Sequence, residues 1–504
     1  MLKRHKTQQA YAGQNEFQLL PMFSSLLIEE RINMPRQTKI VATISNLHCS
    51  PQFIADLYKA GMNVVRLNTA HMSHDDALEV IKNTRAVSDK IGILLDTKGP
   101  EIRTCDAIEP LAVKYGDIVR IEGAPDKKSH GDVICVSYAN FVHDVPVGSS
   151  VLIDDGDIAL AVEEKDDRYL KCSVENDGVI KAKKSINIPS VHVRLPALSL
   201  KDKGFIRFAA ENDLDFIAHS FVRNKEDVIA VQKILDESGK PIKIIAKIEN
   251  SDGVMNLAEI LDHAYGVMIA RGDLAVEIPT EQIPLIQKKI ISLCTERRKP
   301  VIVATQMLHS MIDSPRPTRA EVSDVANACL DRTDALMLSG ETANGKYPEL
   351  AVRTMDKIAR EVESKKSGYV NAPYSHDNKI TAYLAKAAVK AALRLNTKAI
   401  VADSLTGKSI LALAAYRGTN PIYAQLYDKR VMRQLSLSYG VYGEYIAMNI
   451  STSEPLKQSI CRLISENQFE DEDLIIVLAG SFGYQQGASY IEVSTAGNLK
   501  EKCN

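Results

Sequence analysis

The chain has 504 residues, 45% of them hydrophobic and 25% charged, with 62 Lys and Arg against 64 Asp and Glu. This is ordinary globular composition, enough for about two to four domains, and it excludes a disordered or fibrous chain. A net charge of −2 gives no electrostatic reason for nucleic acid or an anionic membrane as partner, and no apolar run nears the roughly 18 residues of a membrane span.

The chain opens on "MLKRHK", and an apolar stretch, "LLPMFSSLLI", follows at 19–28. It mimics a secretion signal, but it holds a Pro and two Ser, and "EERIN" stands where small residues should mark a cleavage site. Residues 1–35 are therefore expected to be a poorly ordered extension, the alternative being that Met1 is an upstream start that is not used, since regular patterning begins at Met34. The eight cysteines are scattered without a C-x-x-C pair. They read as thiols in a reducing, cytoplasmic compartment, not as a disulfide or zinc framework.

From residue 38, short apolar runs alternate with segments of helical length. The runs are 39–44, 63–68, 91–97, 215–221, 243–249, 266–271, 300–305 and 334–340. Nearly continuous Val, Ile and Leu marks strands buried on both faces, as in a parallel sheet. Helices are expected over 51–60, 74–88, 224–237, 281–297 and 318–331. Eight such units predict a closed (β/α)8 TIM barrel with helices outside, an open doubly wound sheet being the alternative.

The third and fourth runs are more than a hundred residues apart. Between them the pattern turns to short strands with Gly-Asp and Asn-Asp-Gly punctuation, which fits hairpins. A small inserted β-barrel domain is predicted over 99–191, sitting as a lid on the mouth of a barrel formed by 36–98 and 192–363. After the charged stretch 359–368 the pattern restarts, with strands at 398–403, 421–426, 474–480 and 490–495. Residues 364–504 are predicted to be a separate α/β domain.

Polar and charged residues gather where the barrel runs end: "RLN", "LLDTKGPE", "HSF", "KIEN", "ARGD", "ATQM" and "LSGET". In a barrel those ends share one face, the face that carries catalysis. Lys247 and Glu249 are two apart and leave their strand on one side; the next strand's end brings Asp273. Two hard carboxylates without zinc-type His or Cys suit Mg²⁺ or Mn²⁺, and a Lys beside them suits phosphoryl charge. A purely structural ion-pair network is the competing reading.

The strings "MNVVRLNTAH", "LLDTKGPEIRT", "IIAKIENSDGV", "MIARGDLAVEIP", "VIVATQMLHSMIDSPRPTRAEVSDVANA" and "LMLSGETANGKYP", in this order, resemble those of the pyruvate kinase family. The resemblance is strong over about 36–365 and architectural beyond. It implies transfer of a phosphoryl group from phosphoenolpyruvate to ADP, giving pyruvate and ATP, by a cytoplasmic homotetramer of glycolysis. It implies that Glu249 and Asp273 hold Mg²⁺, that Lys247 and Arg66 meet the phosphoryl group, and that Thr305 contacts the substrate carboxylate and helps relay a proton. Backbone N–H groups at Gly272 would bind the same carboxylate, with Ser220 and Ser339 in the surrounding hydrogen bonds. Arg103 and Lys201 would clamp nucleotide phosphates, and His71 would lie near the adenine.

Family members that require K⁺ carry Arg-x-Asn-x-Ser-His, and here the string is "RLNTAH", with Ala70 where the Ser should be. Asn68, Asp96 and Thr97 remain, so the resemblance implies a depleted K⁺ site. Glu101 supplies no ammonium in place of the ion, so K⁺ dependence is expected. In the C-terminal domain "SLTGKS" (404–409) is not a P-loop, because Ala402 stands where the first Gly is required. Thr406, Gly407, Lys408 and Ser409 resemble the loop with which family members bind a sugar-phosphate effector, with 480–489 as its partner loop. Two rival readings stand: a Mg²⁺-dependent barrel lyase of phosphoenolpyruvate or pyruvate type, which needs neither Arg103 nor Lys201, and a non-catalytic nucleotide or sugar-phosphate sensor.

Overall fold

The structure is a computed structural model that describes residues 35–501 apart from 192, 372–377, 448–453, 467–468 and 481–486. The expected N-terminal extension, but for its last residue, and most of the 480–489 loop lie outside the described residues.

Eight parallel strands close a barrel: Lys39–Thr43, Val64–Asn68, Gly92–Asp96, Phe216–His219, Lys243–Ile248, Gly266–Ala270, Val301–Ala304 and Ala335–Leu338, the last pairing back onto the first. The open-sheet alternative is thereby excluded. Each strand falls inside its apolar run, because a strand covered on both faces must be apolar throughout. Val41, Val64, Leu94, Phe216, Ile245, Met268 and Ile302 fill the interior. The helices outside start where side chains can satisfy their free N–H groups. Ser73 with Asp76, Ser199 with Asp202, and Thr318 with Glu321 form capping boxes.

The inserted segment forms a seven-stranded sheet and a two-stranded ribbon around its own apolar core. The edges of the large sheet come back together: Thr104 bridges Val136, and the Cys105 N–H donates to the Cys135 carbonyl at 2.8 Å. The stem of the segment is zipped, with Arg103 paired to Ser185 and Ile102 to Ile186.

The C-terminal part is a five-stranded sheet in the order Val441–Tyr445, Ile422–Leu426, Ala399–Ser404, Leu474–Ala479, Tyr490–Thr495, the last strand antiparallel. It docks on the barrel end opposite the polar strand ends. Leu437 is fully buried against the barrel's inner cluster and plugs that end. Asp334, just before the last barrel strand, receives both arms of the Arg417 guanidinium and the Tyr439 N–H. Among the described residues six cysteines are free and buried. Cys461 is disulfide-bonded, a single bond where no disulfide framework was expected.

Candidate active site

The C-terminal ends of the barrel strands converge as expected, and Lys247 lies at the centre of the polar groups there. Its Nζ stands 2.8 Å from Glu249 Oε1 and 3.1 Å from Asp96 Oδ1, and donates to Ser220 Oγ at 2.7 Å. Burial alone would lower its pKa; the Asp96 and Glu249 carboxylates outweigh that and hold it above the ordinary lysine value, so the ammonium is fully charged. Asp96, 1% exposed, also receives Arg66 through two nitrogens, each at 2.7 Å. Burial pushes its pKa up, but Lys247 and Arg66 together bring it below the usual carboxylate range.

Glu249 and Asp273 differ from Asp96. Burial raises both carboxyls and Lys247 pulls each down; the Asp273 charge raises Glu249 further, while a hydrogen bond with Glu249 lowers Asp273, leaving both above the usual carboxylate range. Two adjacent buried carboxyls, hydrogen-bonded to each other and both kept above their usual range, form a donor set that a hard divalent cation would relieve. Among the described residues no group of three or more His, Cys, Asp or Glu is placed to hold a metal. A Glu249–Asp273 site would thus be completed by water and substrate oxygens, which suits Mg²⁺.

Thr305 follows the Val301–Ala304 strand with φ +66°, and Gln306 with φ +54°. A β-branched residue in that region is held by its surroundings, and such strain gathers at functional sites. The Thr305 hydroxyl accepts the Gly272 N–H at 2.8 Å and donates to the Ala304 carbonyl at 2.6 Å. It therefore caps the preceding helix, Arg271–Glu277, and the Gly272 N–H expected for a substrate carboxylate is engaged by Thr305 in this state.

The remaining expected residues divide. Ser220 ties Lys247 to the Thr97 carbonyl, to which its hydroxyl donates at 2.7 Å. Ser339 makes no side-chain contact with the cluster; its N–H donates to Glu341 Oε2 at 2.7 Å. Arg103 pairs with Glu101 at 2.7 Å, on the stem of the inserted segment. Lys201 reaches the Ala70 carbonyl at 3.5 Å, beside His71, so those two share one side of the cleft. Asn68 Oδ1 accepts the Ala70 N–H at 3.2 Å, and the Thr97 hydroxyl accepts the Ser220 N–H at 3.2 Å. Each expected K⁺ oxygen thus already serves another donor. In the 404–409 loop, the Gly407 N–H donates to Ser404 Oγ at 3.0 Å, and the Ser409 hydroxyl donates to the Asp403 carbonyl at 3.2 Å, so part of the expected phosphate cradle is satisfied internally.

Two features escape the sequence reading. Asp96 was expected only as a K⁺ ligand, yet it joins Arg66 to Lys247. His219, next to Ser220 and fully buried, has an unpartnered Nε2 and a pKa lowered to about 4, chiefly by burial. The string "HSF" shows the residue, but nothing in it shows which way the ring faces. Gly99 sets the start of the inserted segment against this cluster: with φ +75°, it leaves no room for a Cβ, which would lie 2.8 Å from the Ser220 Cβ.

The chain and its fold also match known proteins. Residues 35–352 match the family model "Pyruvate kinase, barrel domain", and 383–494 match "Pyruvate kinase, alpha/beta domain". The pyruvate kinase of Borreliella burgdorferi is 47% identical over 464 residues, covering 91% of this chain and 97% of that protein. That of Bacillus licheniformis is 41% identical over 492 residues, covering 93% and 82%. A crystal structure of a pyruvate kinase from Cryptosporidium parvum superposes with a TM-score of 0.86 at 33% identity, covering 94% of this chain and 97% of that one.

Proposed function

This chain belongs to the pyruvate kinase family, and on that premise we propose that it transfers the phosphoryl group of phosphoenolpyruvate to ADP, with Lys247, Arg66 and Thr305 acting on the reacting groups. One observation carries the assignment of roles: a charged, buried Lys247 held between Asp96, Glu249 and Ser220 at the catalytic face of the barrel. Phosphoryl transfer asks a protein for position and charge compensation more than for covalent work. Lys247 and Arg66 lie where they can take phosphoryl oxygens by exchanging part of their present carboxylate contacts.

The substrate carboxylate takes the Thr305 hydroxyl and the Gly272 N–H, which now satisfy each other. The bond from phosphorus to the enol oxygen breaks as one to the terminal ADP oxygen forms. The enolate carbon then gains a proton, relayed with the help of Thr305, and becomes the ketone. Arg103 and Lys201 hold nucleotide phosphates from the two sides of the cleft, with His71 by the base. Ser220 completes the surrounding hydrogen bonds, and Ser339 would join them through its hydroxyl once substrate is bound.

Glu249 and Asp273 would hold Mg²⁺ or Mn²⁺, which when bound supplies Lewis-acid neutralisation of phosphoryl charge. Asn68, Asp96 and Thr97 would hold K⁺ weakly, for want of a hydroxyl at Ala70. The same proposal includes a homotetramer in the cytoplasm and a sugar-phosphate effector at Thr406–Ser409. It also includes the division into an extension (1–35), a barrel (36–98 and 192–363), a lid (99–191) and a C-terminal domain (364–504). Among the described residues no helix is long and apolar enough to cross a membrane.

A coupled assay of pyruvate formation from phosphoenolpyruvate tests the reading. It should require ADP and a divalent ion and yield ATP in equal amount. Pyruvate release independent of ADP would replace it with the lyase reading, and no turnover with the sensor.

A further inference from the structure

At the barrel end far from the polar cluster lies a cavity of about 560 Å³, lined in part by Asp236, Lys240, Lys243, His263, Tyr265 and Lys299. We propose that it is a second anion site, built for a small phosphate ester and separate from both the catalytic cleft and the 404–409 loop.

Charge is the first argument. Three lysines face one carboxylate, Asp236, whose Oδ1 is engaged by Gln232 at 2.7 Å. Neither Lys243 nor Lys299 forms an ion pair among the described residues. Lys299 donates to the Ala264 carbonyl at 2.8 Å, and Lys243 lies 5.5 Å from the centre of the Tyr265 ring. Burial lowers the pKa of both, and Lys408 across the domain boundary lowers that of Lys243 further. Asp262 offsets part of the Lys299 charge but is itself paired with Arg297, and half-buried cations that repel one another are costly without a fuller counter-charge, which a bound phosphate would supply. A volume of this size lies in the range of small-molecule sites and exceeds the need of a bare inorganic ion, so the fitting ligand carries an organic body against the Tyr265 ring.

Position is the second argument. The cavity sits at the feet of three adjacent strands. Lys243 opens the strand that carries Lys247 and precedes Glu249. Tyr265 precedes Gly266–Ala270, which leads to Asp273. Lys299 precedes Val301–Ala304, which leads to Thr305. Five strand residues span roughly 17 Å, so the cavity and the catalytic cluster are the two ends of the same three rods. The C-terminal domain closes one side: Gln434 donates to the Pro241 carbonyl at 2.8 Å and its own carbonyl accepts the Tyr265 hydroxyl at 3.4 Å. A ligand here would rest on barrel residues that the C-terminal domain holds in place.

The test is lysine acetylation footprinting of the full chain by mass spectrometry at constant ionic strength, with glucose 6-phosphate, inorganic phosphate and glucose as probes. Saturable protection of Lys243 and Lys299 by the two phosphates, and none by glucose, is expected. Calorimetry with glucose 6-phosphate should show at least tenfold weaker binding to a Lys243→Gln, Lys299→Gln double variant, whose pyruvate formation without the probe is unchanged. Protection that tracks ionic strength alone, protection confined to Lys201, Lys247 or Lys408, or an unaltered isotherm in the double variant would overturn the site. If the double variant does not fold, the wild-type footprint decides. Loss of the family activity assigned above would leave the footprint's outcome unaffected.

Discussion

The Thr305 hydroxyl accepts the Gly272 N–H at 2.8 Å, so two groups assigned to one substrate carboxylate satisfy each other before it arrives. Binding then exchanges one hydrogen bond for two charge-assisted ones. Thr305→Val keeps the shape at φ +66° but removes the hydroxyl and leaves the amide free. Its kcat should fall by about a hundredfold, the low end for a lost proton-relay group, with a smaller change in the KM for phosphoenolpyruvate. Thr305→Ser should stay near wild type. Steady-state kinetics on both variants decide, and equal rates for Val and Ser would remove the hydroxyl from the chemistry.

Lys247→Met should lower kcat by at least about a hundredfold, as loss of a transition-state charge contact does. It also removes the ammonium from two buried carboxylates, Asp96 and Glu249. Breaking a buried pair costs about 3–5 kcal/mol, although Arg66 still serves Asp96. A fall in melting temperature should therefore accompany the kinetic loss. A variant with near-normal kcat would exclude Lys247 from the reaction.

The crowding of Glu249 and Asp273 predicts metal-linked stability that needs no turnover to see. Mg²⁺ added to EDTA-treated protein should raise the melting temperature, by an amount that grows with concentration. Glu249→Gln and Asp273→Asn should each abolish that rise. An unchanged rise in both variants would place the ion elsewhere.

Potassium should activate with weakened affinity. The Thr69 hydroxyl, the neighbouring oxygen, is buried and donates to the Asp96 carbonyl at 2.8 Å, which fixes its direction while leaving its lone pairs to recover part of the loss. One lost oxygen contact is worth about 1 kcal/mol, or around fivefold in affinity. Ala70→Ser should recover it in a K⁺ titration of initial rate in buffer free of Na⁺ and K⁺. Full activity of the wild type without any monovalent ion would sink the idea.

His219 should make stability fall on mild acidification. In the unfolded chain its ring takes a proton near pH 6.5; in the fold, burial delays that to about 4. Between those values the unfolded state binds the extra proton, so stability is full above the higher value and declines as pH falls toward the lower. From about pH 7.5 to 5 the loss from this group is about 2 kcal/mol. Denaturant unfolding of the wild type and His219→Leu at both pH values should show a smaller decline in the variant by that amount. Parallel declines would mean that the ring is protonated in the fold.

The barrel was legible because strands covered on both faces leave long apolar runs with polar ends, and the eight runs bracket the eight strands. The strand Val441–Tyr445 was not. It is an edge strand with Gly443 and Glu444 in it, and one exposed face needs no apolar run. The helix Leu200–Glu211 was overlooked although Ser199 and Asp202 give it a capping box that a sequence can show. At the site, residue types and spacing gave Lys247, Glu249 and Asp273. The bridging position of Asp96 between Arg66 and Lys247 depends on parallel register across neighbouring strands, Arg66 lying beside Leu94 and Asn68 beside Asp96. A linear string does not contain that information.

The zipped stem, with Arg103 beside Ser185, has a kinematic meaning. A body tied to its base by two adjacent straps can swing about the line joining them, but it cannot readily slide or spin. Any swing of the inserted segment on the barrel is then close to a single angular coordinate. Arg103 lies near the pivot and travels a short arc, while Asp155, at a hairpin tip on the same body, sweeps a long one. Its charge already reaches Asp273. On the proposed Glu249–Asp273 cation site, a swing toward the cleft would bring that negative charge nearer and a swing away would remove it, so hinge angle and cation affinity would be geared to each other.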